Sequence, residues 1–322
     1  MTNRDRAEGD LVSVIVPALN AETWIGQAVA SILSQSWPRI EVVVVDDGSR
    51  DRTAEVVKAM SDQRVILVQQ PNLGAASARN RGFATSRGGF IQFLDADDLL
   101  GAQKIERQMK ALLRARPGAI ASCVWRRFTT DPLDGVVKPE PVWEIRDCLA
   151  WVVASLTGGG MMQPGAWLTP RSLIQLAGPW DESLSLHDDG EFFTRVLLRA
   201  SENVFVPEAT VFYREVGGSL SRRRSRAAME SALAVCRSRH KHLLEVRDDR
   251  PARRALATQY AQFAYEFGLA APDLSRQALD AMRGLRTSPA PVAGGRAFRC
   301  LARGLGMAGA LRIRSFFQTT SR

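Results

Sequence analysis

Glu41-Val-Val-Val-Val45 runs straight into Asp46-Asp-Gly-Ser49. Four consecutive valines favour an extended chain and leave no polar face, as in a strand buried on both sides of a sheet. The Asp/Gly/Ser cluster then breaks the strand at a turn. The same strand-then-break pattern recurs on either side. Upstream, Val12-Ser-Val-Ile-Val16 ends at Pro17, and Ile25, Ala28, Val29, Ile32 and Leu33 then repeat at helical spacing. Downstream, Thr53 is placed to cap a helix carrying Val56, Val57 and Met60. Val65-Ile-Leu-Val68 predicts a third strand, Ala75 to Ala84 a helix, and Phe90-Ile-Gln-Phe-Leu94 a fourth strand. Strands alternating with helices build a parallel sheet with helices on both faces. Ligands bind such sheets at the carboxyl ends of the strands. Asn20, Asp46, Asp47, Asp95, Asp97 and Asp98 all fall at those ends.

Charge is distributed unevenly over the 322 residues. The formal charge is +9, yet the residues from Arg214 onward carry 21 basic and 8 acidic side chains, leaving the first two thirds mildly acidic. With 45% apolar residues the chain is neither disordered nor a small disulfide scaffold. Cys123, Cys148, Cys236 and Cys300 are widely spaced and predict reduced thiols rather than a metal or disulfide framework. The polar N-terminus lacks the apolar core of a signal peptide. Cys148–Met162 is too short and glycine-rich to span a bilayer. Together these features predict a cytoplasmic protein.

Two acidic clusters carry the chemistry. Asp95-Ala-Asp97-Asp98 directly follows an apolar strand. Carboxylates so placed can hold Mg²⁺ or Mn²⁺, which bridges to phosphate oxygens; an isolated motif of this kind is more often a polar turn. Asp188-Asp189 opens a helix whose apolar face is Phe192, Phe193, Val196 and Leu197. The helix dipole there favours the anion, so a carboxylate can serve as general base, the plainer alternative being a helix cap. His187 beside them is a weaker metal-ligand candidate. Between the clusters, Asn72-Leu-Gly74-Ala-Ala-Ser-Ala-Arg79-Asn80 opens a helix with small residues, which allows close backbone approach and attracts anions.

The ordered set Val12-Ser-Val-Ile-Val-Pro17-x-x-Asn20, Asp46-Asp-Gly-Ser49, Asn72-x-Gly74 to Asn80, Asp95-x-Asp97-Asp98 and Asp188-Asp189 resembles family 2 glycosyltransferases across residues 11–216. The resemblance implies the glycosyltransferase A fold, a Rossmann-like mixed α/β sheet flanked by helices, here with a helical C-terminal region. It implies an inverting, metal-dependent transfer from a nucleotide-diphosphate sugar, UDP by default. Pro17, Leu19 and Asn20 would line the nucleotide pocket. Asp47, with Asp46 beside it, would face the base. Asn72, Gly74 and Arg79 would help hold the nucleotide. Asp95 and Ala96 would lie near the ribose, and Asp97, with Asp95, would hold Mn²⁺ or Mg²⁺. Asp189 matches the catalytic base, with Asp188 where the family more often has Glu. Arg195 fits a structural pairing role. Leu19 departs from the aromatic residue common in the family and gives apolar contact without stacking.

The expected organisation is a disordered N-terminus (1–10), a catalytic domain (11–220, its nucleotide half 11–100 and acceptor half 101–220) and a basic helical region (221–322). Thr129 to Pro141 is read as a loop. Gly158-Gly-Gly160, Trp167 and Trp180 are the acceptor-side candidates. Asn203 to Val206 is read as a short strand, and the loop from Tyr213 through Ser219 is expected to fold over the diphosphate, with Arg214 or Arg222 contributing charge. The acceptor is expected to be a carbohydrate or lipid-linked hydroxyl, as in cell-surface polysaccharide synthesis. The basic tail, with Arg296 to Phe317 as an interfacial helix, is expected to dock peripherally on the anionic inner face of the plasma membrane. No nucleic-acid-binding motif appears. The competing readings are a non-catalytic sugar-nucleotide-binding or scaffold protein of this fold and a nucleotidyltransferase. The latter would want glycines and basic residues after the first strand, where Pro17-Ala-Leu-Asn-Ala-Glu22 stands.

Overall fold

A computed structural model describes residues 10–216, 225–290 and 295–319. The valine run lies in β2 (Ile40–Asp46), which is buried at every position. It pairs in parallel with β1 (Val12–Ala18) on one side and β3 (Val65–Gln69) on the other. β1 pairs in parallel with β4 (Phe90–Phe93), and the antiparallel β8 (Thr169–Pro170) closes the order β3-β2-β1-β4-β8. Helices α1 (Ile25–Leu33), α2 (Thr53–Ala59) and α3 (Ala75–Thr85) make the crossovers. α1 turns Ile25, Ala28, Val29 and Ile32 inward, as their spacing predicts. Thr53, expected to cap α2, is instead its first helical residue, and its N–H donates to Asp51 Oδ1 at 3.0 Å.

α3 presses on the sheet through a glycine. A Cβ built on Gly82 would fall inside the van der Waals radius of Ile15 Cγ2 in the centre of β1. Gly82→Ala is therefore expected to destabilise the fold by about 1–3 kcal/mol, read as a lower urea midpoint with an unchanged m-value.

A second sheet follows, in the order β5-β9-β6-β7, from β5 (Leu99–Leu100), β6 (Ile120–Phe128), β7 (Val136–Val137) and β9 (Asn203–Arg214). Two expectations are corrected here. The segment read as a loop, Thr129 to Pro141, includes a 3₁₀ turn (Pro132–Asp134) and β7, which pairs with the end of β6. The short strand expected to stop at Val206 continues to Arg214. Pro207 does not end it, because the register jumps from Cys123↔Val206 to Val124↔Thr210 and the intervening residues bulge out of the ladder. Helices α4 (Lys104–Leu112), α5 (Cys148–Leu156), α6 (Arg171–Ala177) and α7 (Asp188–Leu197) complete this part of the chain.

The C-terminal residues form α8 (Arg226–Val246), α9 (Arg250–Phe267), α10 (Pro272–Gly284) and α11 (Arg296–Thr319), the last broken at Gly306. Ser225 and Asp249 cap α8 and α9 through Ala228 N and Ala252 N. Arg226 makes a two-pronged bond to Asp273 at 2.8 and 2.6 Å, tying α8 to α10. In α11, Phe298, Met307 and Ala310 are buried in a cluster with Ala261 of α9, so these apolar side chains face the protein rather than an external surface. No helix among the described residues is long and apolar enough to cross a membrane. Arg222 and the rest of 217–224 lie outside the described residues.

Candidate active site

Three loops meet at the carboxyl edge of the parallel sheet. Asn20, after β1, adopts a left-handed conformation (φ 51°). Its N–H donates to Ser49 Oγ at 2.9 Å, and its Oδ1 accepts from Arg50 N at 2.9 Å. Asp47, 3% exposed, accepts from Gln70 Nε2, Leu73 N and Gly74 N at 2.8–2.9 Å. Asp46 Oδ1 accepts from Ser49 N at 3.1 Å. The carboxylate of Asp47 thus holds the third loop against the second instead of standing open to a ligand. Gly48 is required by both contact and conformation: its φ is +76°, and a Cβ there would lie 2.7 Å from Asn72 N. Leu19 (44% exposed) and Leu73 (60% exposed) flank this junction and give it an open apolar rim. Sequence reading passed over Leu73; its place beside Gly74 at a helix start was the available signal.

Arg79, on α3, joins the two acidic clusters. Its Nη2 donates to Asp95 Oδ1 at 2.9 Å and its Nη1 to Asp188 Oδ2 at 2.7 Å. The side chain is 7% exposed and lies over the Trp180 ring at 4.5 Å. Burial opposes its charge, but Asp188 and Asp95 hold its pKa above the usual value. Both terminal nitrogens of the guanidinium thus pair with a carboxylate. Arg79, expected to help hold the nucleotide, is in this geometry the clamp that links Asp95 and Asp188. The neighbouring Asn80 grips the same turn, donating to Trp180 O and Glu182 Oε1 and accepting from Trp180 N at 2.8–2.9 Å.

The expected acceptor role of Trp167 and Trp180 is also corrected. They are 1% and 2% exposed. Trp180 stacks on Phe192 with ring centroids 4.0 Å apart, and Trp167 stacks on Phe193 at 5.4 Å. Both indoles are core supports beneath α7, with no face free for a sugar.

At the end of β4, Asp98 N bonds back to Asp95 O and closes the turn. Arg214 lies beneath it. Expected in a loop over the diphosphate, Arg214 is instead the last residue of β9 and 3% exposed. Its guanidinium sits between the rings of Trp24 and Phe128 at 4.3 and 4.4 Å. Its Nε donates to Asp97 O, its backbone N to Asp98 Oδ1 and its Nη2 to Gln27 Oε1, all at 2.8–2.9 Å. The second sheet thereby fixes the turn that presents Asp97. Burial, then the charge of Asp95, pushes the Asp97 carboxyl up to about 6. Fully buried Asp98 is raised well above its ordinary value by burial and by its two neighbouring aspartates.

Asp188 and Asp189 open α7, preceded by His187 in a left-handed conformation (φ 60°). Asp189 is partly exposed, and its Oδ1 accepts from Gly190 N at 2.7 Å. Burial, then Asp188, raises its pKa to about 6, with Gly190 N and Arg79 opposing. Arg195 has the structural role the sequence suggested. It pairs with Glu191 at 2.7 and 2.8 Å and donates to the Ala177 and Pro179 carbonyls.

Residues 13–162 match the glycosyl transferase family 2 model. GlyG, a glycosyltransferase of Streptococcus pneumoniae, is 39% identical over 224 residues, which cover 66% of this chain and 73% of GlyG. The chain belongs to glycosyltransferase family 2. WfgD of Escherichia coli, a UDP-Glc:α-D-GlcNAc-diphosphoundecaprenol β-1,3-glucosyltransferase, is 41% identical over 105 residues, which cover 32% of this chain and 42% of WfgD. Against the first curated relatives, too, the match spans less than half of the relative's length. The fold is that of Staphylococcus aureus TarS, solved with UDP and with UDP-GlcNAc. TarS superposes with a TM-score of 0.68 over 96% of this chain and 92% of its own, at 18% identity for the UDP complex.

Proposed function

We propose that this protein transfers a sugar, with inversion, from a UDP-sugar to a hydroxyl of a lipid-linked or carbohydrate acceptor in cell-surface polysaccharide synthesis. The observation that carries the reading is the Arg79 clamp, which draws the carboxylate at the end of β4 and the carboxylate pair heading α7 into one site. The nucleotide complexes of TarS and the donor and acceptor named for WfgD support the choice of substrates.

In this reading Leu19 and Leu73 contact the base on the platform braced by Asp47. Asp189 accepts the proton of the acceptor hydroxyl as that oxygen forms its bond to the anomeric carbon. The bond to the diphosphate breaks on the opposite face, and the electron pair leaves with the nucleoside diphosphate. Most of the rate enhancement comes from holding these groups in line.

The residues present suit a divalent cation of the Mg²⁺ or Mn²⁺ type. Among the described residues no group of three His, Cys, Asp or Glu side chains forms a complete metal cage. Such cations instead take one or two carboxylates and complete their shell with phosphate and water. Asp97 receives no side-chain hydrogen bond among those described, and Asp95 uses only Oδ1 toward Arg79, so these two would hold the ion. When bound, it would neutralise the diphosphate leaving group.

A panel of UDP-sugars with Mn²⁺, scored for UDP release, tests the reading; no release from any donor by wild-type protein in the presence of polyprenyl-diphosphate sugars would sink it. The pH dependence follows from Asp189. The base must be ionised, and its pKa is raised from 3.8 to about 6. At saturating Mn²⁺ and donor, kcat is expected to level off above neutrality and to fall about tenfold per pH unit below 6. A profile flat down to pH 5 counts against Asp189.

A further inference from the structure

The C-terminal helices reach the site. We propose that Arg239, on α8, is a positioning residue for Asp189, so that the helical region completes the transfer site. The inference rests on the reading of Asp189 as the base.

Arg239 Nε donates to Gly190 O at 3.1 Å. Gly190 makes room for it, since a Cβ on this residue would collide with Arg239 Nη2. Ser238, next on the same helix, donates to Glu191 Oε1 at 2.6 Å. Two turns earlier, the Ser231 hydroxyl accepts from Ser185 N and Leu186 N at 2.9 and 3.0 Å and donates to Leu186 O. One face of α8 thus binds the chain on both sides of His187, Asp188 and Asp189.

That turn needs outside support. His187 is left-handed, with φ 60°. A non-glycine residue in this conformation persists only where its surroundings over-determine it. Arg239 also brings charge. Burial lowers its pKa, while Cys236, Asp189 and Glu191 hold it up, and an arginine stays protonated throughout. Its cation is near enough to the carboxylates of Asp189 and Glu191 to interact with both. A side chain that only filled space would be matched by methionine; one that fixes a carbonyl and supplies charge would not.

Three variants separate these roles: Arg239→Met, Arg239→Lys and Gly190→Ala. The last displaces the guanidinium while leaving Asp189 in place, and alanine favours helix, so a loss cannot come from a weaker α7. Arg239→Met is expected to lower kcat about 30-fold, with donor KM within about twofold. Arg239→Lys should recover part of the loss. Gly190→Ala should resemble Arg239→Met, and the double variant should be no worse than either, because both remove one interaction. Independently of any donor, amide hydrogen exchange over residues 187–191 should quicken about tenfold in Arg239→Met. Unchanged exchange, or additive losses in the double variant, overturns the proposal. Full turnover in Asp189→Asn would overturn the base assignment instead, and would leave the exchange result standing.

Discussion

Asp189→Asn is expected to lose at least about 10³-fold in kcat while binding UDP and Mn²⁺ with affinity within about twofold of wild type. Asparagine keeps the size of the side chain and an oxygen able to accept from Gly190 N, the hydrogen bond that orients Asp189 among the described residues. What it removes is the ability to take a proton. Asp188 cannot substitute, because its Oδ2 is bound to Arg79. UDP binding, measured by calorimetry, separates loss of chemistry from loss of the pocket. Turnover near the wild-type level in the asparagine variant would require another base, and weakened UDP binding would place Asp189 in the nucleotide pocket instead.

Arg79→Met is expected to be the most damaging single change to stability. Arg79 is nearly buried and carries two ion pairs. Its loss leaves Asp95, Asp188 and Asp189 facing one another without the cation that joins them. Removing one partner of a buried pair costs about 3 kcal/mol or more, because the remaining charge stays desolvated. The unfolding free energy from urea titration should fall by that order at pH 7.5. Protonation relieves repulsion among the carboxylates, so the difference from wild type should narrow as the pH falls toward 5. Arg79→Lys keeps the charge but cannot span two carboxylates with one fork, and should recover only part of the stability and little of the turnover. A difference that widened in acid would show that the clamp is not electrostatic.

The parallel core was legible because β1 and β2 announce themselves through β-branched runs and β4 through an apolar aromatic one, each followed by polar residues. The placement of the acidic groups at the strand ends followed from topology alone. What the sequence hid was which polar groups satisfy one another. Nothing local to Arg79 says that its partners are 16 and 109 residues away. Arg214 follows a proline that reads as a strand stop, and only the bulge opposite Cys123/Val124 shows the strand continuing to bury it under Asp97. Trp167 and Trp180 are equally at home against a sugar or in a core; the phenylalanines of α7 decide, and their orientation is a tertiary fact. The basic C-terminal third read as a solvated or membrane-facing tail because net charge was its loudest signal, and Ser231, Ser238 and Arg239 were lost within it.

The contact between Arg214 and the turn after β4 bears on how members of this family can be recombined. The family model matches residues 13–162, which invites the use of that stretch as an interchangeable cassette. Yet Asp98 is wholly buried, and one of its carboxylate oxygens is met by the backbone of Arg214, contributed from 116 residues downstream. A hybrid carrying this cassette on a foreign remainder would inherit a carboxyl group with its protein partner missing, unless the graft also brought the end of β9. The natural crossover point for such hybrids therefore lies after residue 214.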